Sequence, residues 1–131
     1  MSNMVLNVTL SNGSLDVDQT GNGNQIPHGE NDTITWQLIG SAASGQFNAM
    51  NASNPGFNWT QTTPDGVFGT ATVQANGNQI QISDNNTDPN GVNSAGTWIY
   101  QLYATIGGTQ YSTKTIPSPR AVTNNPTIQN M

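Results

Sequence analysis

A chain of 131 residues with a formal net charge of −5, two basic side chains, one histidine and no cysteine lacks the means for most familiar site chemistries. A thiol nucleophile, a cysteine-rich zinc centre and a disulfide framework are excluded, and a phosphate clamp would have only Lys114 and Arg120 to use. Hydrophobic residues make up 33 % and charged residues 7 %, a balance that predicts a folded domain with an unusually uncharged surface.

The length fits one domain over 1–131, and surface scaling allows roughly two-thirds of the unfolded chain's surface to be buried. Residues 4–10 set Met4, Leu6, Val8 and Leu10 against Val5, Asn7 and Thr9, the period-two pattern of a strand with one buried face. Asn12-Gly13 then predicts a tight turn into a short strand over 14–17. Residues 33–38 alternate Ile34, Trp36 and Leu38 with Thr33, Thr35 and Gln37, and a weaker strand is predicted over 45–48. Another weak strand over 69–74 precedes Asn76-Gly77 and the strand 79–83, which places Ile80 and Ile82 on one face. Residues 97–106 are apolar on both faces, so this strand is expected to be central, with partners on both edges. Gly107-Gly108 turns it into a mate over 109–116, and a last weak strand falls at 127–129.

All seven prolines lie between these segments, where a missing N–H costs no ladder bond. No stretch of twelve or more residues carries helical spacing with caps. The expected fold is all-β, an antiparallel two-sheet β-sandwich of 7–9 strands, immunoglobulin-like or cupredoxin-like. Asn22-Gly23-Asn24-Gln25-Ile26 recurs as Asn76-Gly77-Asn78-Gln79-Ile80, and the expectation is one hairpin turn used twice.

Residues 96–102, followed by a tight turn and Tyr111, resemble the F–G hairpin of immunoglobulin-like sandwiches, without their disulfide. Asn31-Asp32-Thr33-Ile34-Thr35-Trp36 is similar to an early cupredoxin strand, but type 1 copper needs a Cys and two His. The segment 98–103, together with Asn125-Pro126-Thr127-Ile128-Gln129-Asn130, resembles the small bacterial DP-EP family. That resemblance implies a compact β-sandwich and names no ligand.

Two loops carry candidate binding residues. Phe57, Asn58, Trp59 and Phe68 place rings beside amides and hydroxyls, the pairing of stacking surface and directional hydrogen bonds that a sugar needs. The competing expectation is that Trp59 only closes one end of the sandwich. Asp84, Asn86, Asp88 and Asn90 repeat the alternating oxygens with which calcium loops begin, although Pro89 stands at the sixth position and Ala95 at the twelfth. Asx-rich turns also arise simply because these side chains bond their own backbone. His28 with Asp32 suggests a histidine–carboxylate pair, and Asp65, Asp84 and Asp88 are the loop carboxylates open to hydrolase chemistry.

The functional expectation is a non-enzymatic binding or assembly module that self-associates, the alternative being a carbohydrate-binding module and, behind it, a carboxylate hydrolase. No cofactor is expected apart from calcium in the 84–90 loop. A homo-oligomer or a glycan is the expected partner; nucleic acid and membrane are not expected, because basic residues are scarce and no run approaches transmembrane length. Six Asn-x-Ser/Thr sequons, at Asn7, Asn12, Asn31, Asn51, Asn58 and Asn85, are what this composition gives by chance. With no signal peptide visible at Met1-Ser2-Asn3-Met4, the expected location is the cytoplasm, or outside the cell by a route without a classical signal. Lys114 and Arg120 flank Pro117-Ser118-Pro119, expected to be a solvated strand end or an arm docked on a neighbour.

Overall fold

The computed structural model describes residues 2–20, 23–113 and 126–131. Lys114, Arg120, the Pro117-Ser118-Pro119 segment, Asn22 and Asn125 lie outside them. The protein is a β-sandwich of two packed sheets. The strands are β1 (Ser2–Ser11), β2 (Ser14–Val17), β3 (Gln25–Ile26), β4 (Glu30–Leu38), β5 (Gln46–Phe47), β6 (Phe57–Trp59), β7 (Thr72–Val73), β8 (Gln79–Asn86), β9 (Gly96–Ile106), β10 (Thr109–Ser112) and β11 (Thr127–Asn130). Short 3-10 turns stand at Gly40–Ala42 and Pro89–Gly91. No helix among the described residues is long and apolar enough to cross a membrane.

The first sheet runs β2-β1-β4-β8-β7 and the second β10-β9-β11-β3, with β5 and β6 also pairing to β9. Eleven strands among the described residues replace the expected seven to nine because β3 and β6 are too short to announce themselves by alternation. The sheets are mixed rather than wholly antiparallel: β1 runs parallel to β4, and β11 parallel to β3. Hairpin turns predict only neighbours in sequence, and both parallel pairs join strands that no tight turn connects. The internal echo also resolves differently. Gln79-Ile80 enters the β7–β8 hairpin, whereas Gln25-Ile26 pairs in parallel with β11.

Alternation sets what is inside. Leu6 and Val8 of β1, Ile34, Trp36 and Leu38 of β4, and Ile80 and Ile82 of β8 face Tyr100, Leu102, Ala104 and Ile128 of the second sheet, all buried. Strand β9 is central as expected. Ala104 and Thr105 pair with β5 on one edge while β10 occupies the other. Asn12-Gly13 (φ 52° and 78°) and Gly107-Gly108 (φ 60° and 82°) take the left-handed conformations that two-residue hairpin turns demand. Two of the edge strands, β3 and β7, have two residues each, too short to template another chain along an edge. The outer face of the first sheet is uncharged on its three long strands, with Asn3, Val5 and Asn7 on β1, Asn31, Thr33, Thr35 and Gln37 on β4, and Gln79, Gln81, Ser83 and Asn85 on β8; Asp16 on β2 is a charge at its edge.

Candidate functional site

The second sheet grows its site from β6. Phe57, Asn58 and Trp59 pair with Leu102, Gln101 and Tyr100 of β9, so that Phe57 points inward, Asn58 outward, and Trp59 lies at the margin of the core. A close backbone approach permits this register. Gly56 donates its N–H to the Asn48 carbonyl at 3.1 Å, and a Cβ there would come within 2.5 Å of that same oxygen.

The rings form a continuous series from core to surface. Trp36, fully buried, donates its indole N–H to the Tyr100 hydroxyl at 2.7 Å. Burial pushes the Tyr100 phenol far above its ordinary range. Phe57 stacks on Tyr100 with centroids 5.2 Å apart and meets Trp36 at 4.9 Å. Trp59 stands edge-on to Phe57 at 4.9 Å and packs on Phe68 at 4.5 Å; Phe68 in turn reaches Trp98 at 5.5 Å. Trp36 and Trp98 are core residues, as expected, while Trp59 and Phe68 are half-buried. Trp59 therefore packs against the core and still keeps part of its surface in water.

That surface lines a cleft of about 200 Å³ bounded by Met50, Phe57, Asn58, Trp59, Gly69, Thr70, Ala71 and Ile82. A second depression of about 610 Å³, between β5 and β7, adjoins it and shares Met50 and Ala71. Together they make a groove along the side of the sandwich where the edges of the two sheets meet. Apolar groups, Trp59, Met50, Ala71 and Val73, alternate along it with Asn58, Thr70, Thr72, Gln46 and Gln74. Among the described residues, no ionisable side chain lines either part. Of the four expected ligand-binding residues, Asn58, Trp59 and Phe57 border the cleft, and Phe68 supports Trp59 from beneath.

No protein-family model matches the chain, and no curated protein matches its sequence.

The 84–90 segment is distributed differently from a calcium loop. Asp84 and Asn86 lie on the inner face of β8, both fully buried. The Ser94 hydroxyl lies 2.7 Å from Asn86 Oδ1 and 2.9 Å from Asp88 Oδ1, and its single hydrogen serves one of them at a time. The Asn86 amide donates to the carbonyls of Ile26 and, at 3.4 Å, Met131. Asp88 leaves the strand at φ 51° and accepts the Ser94 N–H at 3.0 Å, while its own N–H bonds the Ser94 hydroxyl. These bonds, with a lesser contribution from His28, hold its carboxyl below the usual range. Asn90 sits exposed at the tip with φ 54°. Asn86 and Asp88 are thus brought together around Ser94, whereas Asp84 turns inward and Asn90 outward.

The remaining carboxylates are also placed. Exposed His28 lies 3.5 Å from Asp88 rather than beside Asp32, which is buried at 4 % exposure. Asp65 is exposed in the turn before Val67. The pair that alternation brings together is Asp32 and Asp84, directly opposite on β4 and β8 and both facing inward. Burial, above all, pushes Asp84 up to about 7; the Asn130 amide, donating to it at 3.0 Å, lowers it in part, and the Asp32 charge raises it further. Sequence reasoning placed Asp84 in a loop and had no role for Asn130. The signal was present: Ile80, Ile82, Asp84 and Asn86 continue one period-two face, as do Asp32, Ile34 and Trp36.

Proposed function

We propose that the protein is a non-enzymatic binding module that takes a neutral, polyhydroxylated ligand, an oligosaccharide, along the groove from Trp59 past Met50 to Gln74. The observation that carries this reading is the groove's lining. Apolar ring and methyl surface alternates there with amides and hydroxyls, and no ionisable group of the described residues intervenes. Sugars present apolar C–H faces and polar rims, so stacking on Trp59 and hydrogen bonds to Asn58, Thr70 and Gln74 serve both at once. A phosphorylated or acidic ligand fits poorly with two basic residues against seven acidic ones. The groove is open and elongated, which favours a chain of several sugar units over one.

The test is tryptophan fluorescence titrated with neutral glucans, mannans and chitin oligomers. A saturable change with at least one of them is expected, weakened roughly tenfold in Trp59→Ala through loss of the stacking ring. A flat response to every neutral glycan, in protein whose Trp59 is open to acrylamide quenching, refutes the reading.

Self-association is the second reading, and the outer face of the first sheet favours it. That face is uncharged across β1, β4 and β8, with Asp16 only at its β2 edge, and it carries Val5, 51 % exposed. Faces with so little charge offer little mutual repulsion. Light scattering should report a dimer or larger species that Val5→Lys disperses; a strict monomer at high concentration removes this reading.

A further inference from the structure

We propose that Asp32, Asp84 and Asn130 form a binding site for a calcium ion between the two sheets. The site is distinct from the groove and does not depend on it. It occupies the layer of the core where apolar pairs give out. Trp36 faces Ile80, Ile34 faces Ile82, and in the next layer Asp32 faces Asp84. Side chains of directly opposed residues start about 5 Å apart. From the second sheet, Asn130 follows Ile128 on the inner face of β11 and reaches across to Asp84.

Three oxygens in this layer have no hydrogen-bond partner: Asp32 Oδ1, Asp84 Oδ2 and Asn130 Oδ1. Their residues are 4 %, 0 % and 3 % exposed. Neither carboxylate makes an ion pair with a described residue. The direction of the Asn130 oxygen is not arbitrary. Its nitrogen donates to Asp84 Oδ1 and to the Ser94 carbonyl, each at 3.0 Å, and both of those are acceptors. Nitrogen must therefore occupy that side of the amide, which leaves Oδ1 on the other.

Two buried carboxylates and an amide oxygen are acceptors that require positive charge or donors in a space sealed from bulk water. A proton shared between Asp32 and Asp84 answers two of the three atoms and leaves the Asn130 oxygen unmet. A cation answers all three. The donors are hard oxygens carrying −2 when both carboxyls are ionised, the chemistry calcium prefers, and enclosed waters would complete its shell of 6–8 oxygens. Zinc prefers nitrogen and sulfur, and magnesium keeps several waters in a strict octahedron. Because Asp32 and Asp84 belong to one sheet and Asn130 to the other, the ion would cross-link the sandwich.

Thermal unfolding at pH 7.5 in chelator and in calcium chloride tests the site on the whole protein. Calcium at a hundredfold excess over its dissociation constant should raise Tm by about 10 °C. Asp32→Asn, close in shape, should abolish that shift, and Asp88→Asn, in the neighbouring loop, should retain it. Terbium luminescence sensitised by Trp98 supplies a readout independent of stability, and Asp32→Asn should silence it. The proposal is overturned by an unchanged Tm together with silent terbium. It is equally overturned by a calcium shift that survives Asp32→Asn, or by one lost in Asp88→Asn, which would place the ion in the 88–94 loop.

Discussion

Tyr100→Phe removes one oxygen atom from the centre of the sandwich and isolates one donor. Trp36 and Tyr100 are both 0 % exposed, and the indole N–H lies 2.7 Å from the phenol oxygen. Phenylalanine keeps the ring that stacks on Phe57, so packing is nearly unchanged and the cost is that of a buried N–H without an acceptor. Leaving such a group unmet costs roughly 1–3 kcal/mol, which in a domain of this size lowers Tm by roughly 4–11 °C. Urea unfolding followed by tryptophan fluorescence measures the loss directly. A thermodynamic cycle with Trp36→Phe makes the test specific. In that background the N–H is already gone and the Tyr100 hydroxyl is itself the unmet group, so Tyr100→Phe should become neutral or stabilising. Equal costs in both backgrounds, or a cost below about 0.5 kcal/mol in the native background, would refute the reasoning. Tyr103→Phe, at a half-buried position on the outer face of β9, should change stability by less than about 0.5 kcal/mol.

Three further outcomes follow from the same geometry. Thr35 is 4 % exposed and its hydroxyl is unpartnered, so Thr35→Val should raise stability by about 1 kcal/mol in urea unfolding. Gly56→Ala forces a Cβ against the Asn48 carbonyl and the Ile80 side chain, so it should lower Tm by several degrees and displace β6, blunting any glycan response. In chelator, the Asp84 carboxyl, raised from 3.8 to about 7 in the fold, favours the folded state while protonated; the urea midpoint should therefore fall as pH rises from about 4 to about 7. Asp32 is the charge that faces it, and Asp84→Asn should flatten the profile across that window.

The long strands were legible because alternation over six or more residues can hardly arise from anything else. Residues 4–10, 33–38, 79–83 and 97–106 all fall within strands, with the expected faces inward. What escaped did so for physical reasons. Strand β6 consists of three residues, and Phe57-Asn58-Trp59 supplies a single alternation amid turn-forming Asn, Pro and Gly. The groove needed β5, β6 and β7 to be placed side by side, and only tertiary pairing does that. Asp32, Asp84 and Asn130 each extend a strand by one or more residues beyond its last apolar position. Asp and Asn end strands so often that a sequence reading stops there, although the inward phase continues through them.

Strand β11 comes after every other described strand in sequence, yet it lies between β9 and β3 and supplies Ile128 to the interior. A ribosome delivering this chain thus releases residues 96–99 long before their neighbour exists. Until 127–130 emerge, that half of β9 lacks the strand that pairs with it in the folded protein. Vectorial synthesis, rather than the finished molecule, is where this architecture is most exposed to mispairing.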